Sequence, residues 1–141
     1  MGGNWGYRAG PAQRAVAHAL IDEAGVDVVN GHPSHHPKAA EVHRDKLILY
    51  GCGGLINDYE GIGSHETFRY NLALGYFADF RVDDGRLPSL EMVPYRIRAF
   101  RLQRTNPEEL FWLTNVMNRE CGAFGASIAL TPDGALRLSR Q

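Results

Sequence analysis

The segment Gly31-His32-Pro33-Ser34-His35-His36-Pro37 places three imidazoles within five positions, interrupted by Pro33 and followed by Pro37. Neutral imidazoles are good ligands for zinc, manganese and iron, and two of them a few residues apart on a rigid turn can meet one metal or bridge a pair. The prolines reduce the entropy such a loop loses on binding. The alternative is that loop histidines are solvated or hydrogen-bonded side chains with no ligand role.

Elements on both sides position this loop. Pro11 stands at a helix start, and Val16, Ala17, Leu20, Ile21 and Ala24 recur at helical spacing until Gly25. Arg14, His18 and Asp22 follow one another at four-residue intervals on the other face, which reads as solvated. Val26 to Val29 is a short apolar run, expected to be a strand buried on both faces, and the histidine loop leaves its carboxyl end. A second buried strand is expected at Lys46 to Tyr50, leading into Gly51-Cys52-Gly53-Gly54. In open α/β sheets ligands bind at such strand ends. Glu41 and His43, on the approach to this strand, read as solvated residues.

Alternation of apolar residues from Asn71 to Val82 predicts a long half-buried strand, and Asp83-Asp84-Gly85-Arg86 a hairpin turn into Leu90 and Met92. Beyond Pro94 the apolar phase shifts, which suggests a bulge or an edge position. Asn106, Pro107 and Glu109 announce a helix with Leu110, Leu113 and Met117 on its buried stripe, and a hairpin around Thr131-Pro132-Asp133-Gly134 closes the chain. Arg96, Arg98, Arg101 and Arg104 form a basic stripe. It suits carboxylate recognition through bidentate contacts, or serves only to keep an edge strand from aggregating.

The runs GNWGY, HALIDEAGVDVVNGHPSHHPK, EVHRDKLILYGCGGLINDYEG, LALGYFADF and LEMVPYRIRAFRL together resemble the second half of CapA-type domains. These are capsule or poly-γ-glutamate synthesis proteins of the metallophosphoesterase-like superfamily, and the resemblance covers nearly the whole chain. It implies an α/β fold, the carboxy-terminal half of an αββα sandwich with a mixed sheet, flanking helices and hairpins. Residues 1–141 would then be a single partial domain without its amino-terminal half. The resemblance also implies that His32 and His35 are metal ligands, in a centre that takes divalent manganese, iron or zinc and is dinuclear in the complete domain. His36, Asn57, Asp58 and Glu60 are candidates for supporting the ligands or facing substrate, and Arg96 and Arg98 for polyanion binding. Further ligands, acidic residues, an asparagine and more histidines, are expected from the first half of the domain.

Three functions follow as expectations: a metal-dependent phosphoester hydrolase, a noncatalytic factor binding polyglutamate or glycan during export, or an inactive remnant. An exposed sheet face would favour a homo-oligomer or pairing with the missing half. With 15 basic against 16 acidic residues, the net charge of −1 supplies no global field that would draw the chain to nucleic acid or an anionic membrane. No apolar run reaches the length of a transmembrane segment. A cytoplasmic or an envelope-associated location fits equally, and two cysteines are too few for a disulfide framework.

Overall fold

The computed structural model of the chain describes residues 6–32, 34–56 and 68–140. Two helices and two sheets make a mixed α/β fold. Helix α1 (Pro11–Asp22) precedes a three-stranded sheet of β1 (Val28–Asn30), β2 (Ala40–His43) and β3 (Lys46–Leu49). The second sheet holds β4 (Leu72–Asp79), β5 (Ser89–Arg98), β6 (Arg101–Arg104), β7 (Ala126–Leu130) and β8 (Leu136–Arg140), with α2 (Pro107–Gly122) between β6 and β7. Among the described residues, no helix is long and apolar enough to cross a membrane.

Pro11 begins α1, where its missing N–H costs nothing, and the Gln13 side chain accepts from the Gly10 N–H at 3.1 Å. Ala17 and Ile21 are buried, whereas Val16 and Leu20 stay exposed beside an apolar groove of about 300 Å³ that also involves Val29 and Tyr50.

The small sheet runs β1-β3-β2, with β1 parallel and β2 antiparallel to β3. Its centre, β3, buries Leu47, Ile48 and Leu49 as expected. The run 26–29 is not buried on both faces: β1 is an edge strand, with Val28 exposed and Val29 half-buried. Among the described residues β1 has β3 as its one strand neighbour. Strand β2 went unread because its turn lacks the usual glycine. Arg44 and Asp45 both take left-handed backbone, φ 49° and 65°, the conformation a two-residue hairpin requires.

In the large sheet β4 pairs with β5 without interruption from Leu72↔Arg96 to Asp79↔Ser89, so there is no bulge at Pro94. The other edge of β5 meets β8 at Glu91 and Met92 and β6 from Tyr95 to Arg98. Pro94, which has no N–H to donate, stands where that edge passes from one partner to the next. Strand β4 ends at Asp79 rather than Val82. Backbone bonds from Arg81 N to Arg86 O and from Gly85 N to Arg81 O close a turn, leaving Phe80 and Val82 exposed. Gly85 takes φ 64° there. The expected arginine stripe is split over two arms of a hairpin, because the chain reverses at Ala99 and Phe100.

Asn106 Oδ1 accepts from Glu109 N, and Glu109 Oε2 accepts from Asn106 N, both at 2.8 Å, so the capping box of α2 is complete. Leu113, Val116, Met117 and Cys121 form the buried face of α2. The helix packs on β7 and reaches β2, where the Ala40 N–H lies 3.3 Å from Cys121 Sγ. One core therefore joins the two sheets, with Ile48, Leu74, Leu90, Met92, Met117 and Leu136 all at or below 2% exposure. Each such side chain contributes about 2 kcal/mol of apolar burial. Both cysteines are free thiols.

Candidate functional site

The histidine loop is fastened to the ends of β1 and β3 through its backbone. The Gly31 N–H donates to Leu49 O at 2.7 Å, the Lys38 N–H donates to Gly51 O at 2.8 Å, and Pro37 bridges to Cys52. Gly31 is required by proximity: a Cβ there would lie 2.6 Å from Tyr50 O. Gly51 faces Ser34 as closely, with a Cβ position 2.1 Å from Ser34 Oγ. A loop held this tightly loses little freedom when it takes a ligand.

His32 is exposed and His35 half-buried, so neither imidazole is sealed from solvent. Their donor chemistry fits a divalent transition metal. Among the described residues no third His, Cys, Asp or Glu joins them in one cluster, so a metal held by them would need ligands from elsewhere.

His36 is fully buried, its Nε2 accepting from the Gly6 N–H at 3.2 Å and its Nδ1 lying 3.1 Å from Pro37 O. Its ring stacks on Phe68 and leans on Tyr7, with centroids 5.1 and 4.5 Å away. Burial holds its pKa below the usual histidine value, so the ring is neutral at pH 7. Such a side chain braces the loop from inside, and a substrate-facing position does not fit it. Asn57, Asp58 and Glu60 lie outside the described residues.

Arg96 and Arg98 line a concave pocket of about 480 Å³ together with Arg69, Tyr70, Asn71 and Glu109. Arg96 is held between Glu109 and Gln103 at 3.3 and 3.2 Å, and its Nε is buried without a hydrogen-bond partner among the described residues. Arg69 pairs with Glu108 at 2.6 Å and lies over the Trp112 ring. Arg104 donates instead to Asp133 O. The pocket thus combines three guanidinium groups, two of them already paired to carboxylates.

Sequence reasoning missed the polar cluster between α1 and β2. Arg14, His18 and Asp22 rise about 6 Å per four-residue step, close to the spacing of Glu41 and His43 on one face of a strand. The two rows engage: Arg14 and His18 Nε2 each reach Glu41 Oε1 at 3.0 Å, and His43 Nε2 reaches Asp22 Oδ1 at 2.9 Å. The Tyr50 hydroxyl donates to Glu41 Oε2 at 2.5 Å. The His18 and His43 rings stack at 3.7 Å, tilted by 12°. Glu41 is only 3% exposed. Burial alone would raise its pKa, but hydrogen bonds from Tyr50, His18 and Arg14 outweigh that and hold it below the usual carboxylate value. The signal was the matched spacing on the two segments, legible only once β2 is known to be a strand facing α1.

Comparison with known proteins gives two findings. Residues 1–59 match the family described as "Bacterial capsule synthesis protein PGA_cap". A protein named as a probable polyglutamine synthesis accessory protein is 47% identical over 137 residues in two strains of Mycobacterium tuberculosis, CDC 1551 / Oshkosh and H37Rv. The match takes in 97% of this chain, and the chain spans 36% of the length of those relatives.

Proposed function

The chain is related to the CapA-type bacterial capsule synthesis proteins, and from that premise we propose that it serves the synthesis of an anionic capsule polymer of the polyglutamate kind. In this reading His32 and His35 would hold a divalent metal, manganese, iron or zinc, together with ligands from outside the described residues. When bound, such a metal supplies an activated water and neutralises charge on a phosphoester or related oxyanion. The observation that carries the reading is the loop itself: two accessible imidazoles on a strand-end turn locked by Gly31 and Lys38 and braced by the buried His36. The chain's own contribution is to fasten the loop backbone at Gly31 and Lys38, so that less loop ordering remains to be done on binding.

The test is metal content by mass spectrometry on the full-length protein and on its His32→Ala, His35→Ala variant. Near-stoichiometric metal that falls in the variant supports the assignment. Unchanged stoichiometry removes both residues from the ligand set.

A second, noncatalytic reading is favoured by the arginine pocket, whose guanidinium groups suit the repeated carboxylates of a polyglutamate chain. It predicts polyglutamate binding that survives chelation, weakens with salt and falls on Arg98→Ala. Binding abolished by chelator and indifferent to Arg98 would refute it.

A further inference from the structure

We propose that His18, Glu41 and His43 form a second metal site, for one divalent ion of the zinc type, set toward the other end of the small sheet from the histidine loop. The register fixes that placement: His43 pairs with Lys46 at the hairpin end of β3, whereas Asn30, which leads into the loop, pairs with Leu49.

The donor set is two imidazole nitrogens and one carboxylate oxygen, a combination that holds zinc with a fourth position left for water. One ligand atom from each residue lies within 4.8 Å of the other two. Around a tetrahedral zinc with bonds of about 2.0–2.1 Å, ligand atoms stand about 3.4 Å apart. His18 Nε2 and Glu41 Oε1 already meet that at 3.0 Å. Closing the remaining gap takes side-chain rotation, chiefly of one imidazole out of the parallel stack so that the two lone pairs converge.

The surroundings favour this arrangement over three unrelated polar groups. Helix α1 and strand β2 carry the ligands, so the backbone positions are fixed by the fold. The Tyr50 hydroxyl fastens Glu41 Oε2 and leaves Oε1 turned toward the histidines, the kind of outer support that orients a ligating carboxylate. Asp22 steadies the His43 ring from its Nε2 side. Arg14 shares Glu41 Oε1 and is the group a cation would displace; its side chain is 47% exposed, with the guanidinium over the Phe124 ring, so it can give way without leaving a buried charge. Both imidazoles keep about a fifth of their surface exposed, which gives an ion a route in. The site uses no residue of the histidine loop or the arginine pocket and stands independently of the function proposed above.

The experiment starts from the full-length protein carrying His32→Ala and His35→Ala, so that the loop is silent, and titrates it with cobalt(II) followed by visible absorption. The expected result is one bound ion with the intense bands of a tetrahedral centre, displaced by zinc. Adding His18→Ala and His43→Ala should weaken binding at least about tenfold, with circular dichroism checking that the fold persists. Ring-nitrogen NMR on the otherwise unaltered protein provides a second measurement that does not depend on the folding of that variant. Zinc should shift the His18 and His43 signals, with His43→Gln assigning one of them. Cobalt binding unchanged by the His18 and His43 substitutions, no tetrahedral spectrum, or zinc shifts confined to other histidines would each overturn the proposal.

Discussion

Replacing Tyr50 by Phe removes one hydroxyl and leaves the ring, which stacks on Phe124 at 5.2 Å, in place. The hydroxyl donates to Glu41, a carboxylate 3% exposed, and hydrogen bonds to buried charges are worth about 1.5–3 kcal/mol. The expected loss at pH 7 is therefore about 2 kcal/mol. For 141 residues the unfolding entropy is about 0.3 kcal/mol per degree, so Tm should fall by about 7 °C. The pH dependence identifies the cause. Glu41 has a folded pKa below its unfolded value, so its stabilisation is present above an unfolded pKa of about 4.3 and is lost as pH falls through the folded value. Without the Tyr50 hydroxyl the folded pKa rises toward the unfolded one. Urea melts of both proteins should differ fully at pH 7, and the difference should shrink as pH falls below the unfolded pKa of about 4.3. A penalty that persists unchanged at pH 3, or one below about 0.5 kcal/mol at pH 7, would refute the claim that this bond carries the buried charge.

Gly31→Ala should destabilise by about 1–3 kcal/mol in urea melts, since the new Cβ would meet the Tyr50 carbonyl at 2.6 Å and neither backbone can yield cheaply. Asn106→Ala should cost about 1 kcal/mol through loss of the α2 cap, with the Tm of Asn106→Asp close to that of the parent. His36 is buried neutral with a lowered pKa, so the unfolded state binds the extra proton below about pH 6.5 and stability should decline from pH 7 to pH 5. In His36→Phe that decline should be shallower; an unchanged slope would assign the acid sensitivity elsewhere.

What was legible in the sequence follows from how local its cause is. The cap of α2 rests on Asn106, Pro107 and Glu109, three neighbours, and the structure has it at those residues. The same holds for Gly85 in its turn and for the final hairpin. Strand β2 was missed because the turn it depends on uses Arg44 and Asp45 in left-handed backbone, where sequence rules look for Asn or Gly. Without β2, the sequence assigns Glu41 and His43 no face, and Arg14, His18 and Asp22 read as solvated. The burial of Val26 to Val29 was misjudged because strand order is not written in four residues: the same apolar run suits the centre or the edge of a sheet. His36 illustrates the limit at the loop. The resemblance sets His36 apart from His32 and His35 but leaves it either supporting the ligands or facing substrate, and the packing of Tyr7 and Phe68 against its ring favours the first.

Strand β5 pairs with β4 along one edge and with β8 and β6 along the other, so partners from residues 72–79, 101–104 and 136–137 all converge on Ser89–Arg98. Among the described residues, every strand pairing of the large sheet except that of β7 with β8 therefore runs through β5. Amide exchange along β5 should report the global unfolding equilibrium, while β1, an edge strand of three residues, exchanges through local opening. During synthesis the same wiring delays completion. A chain made only as far as Thr131 has β7 without its partner and part of one β5 edge unpaired, so the sheet closes only when Leu136–Arg140 has been made.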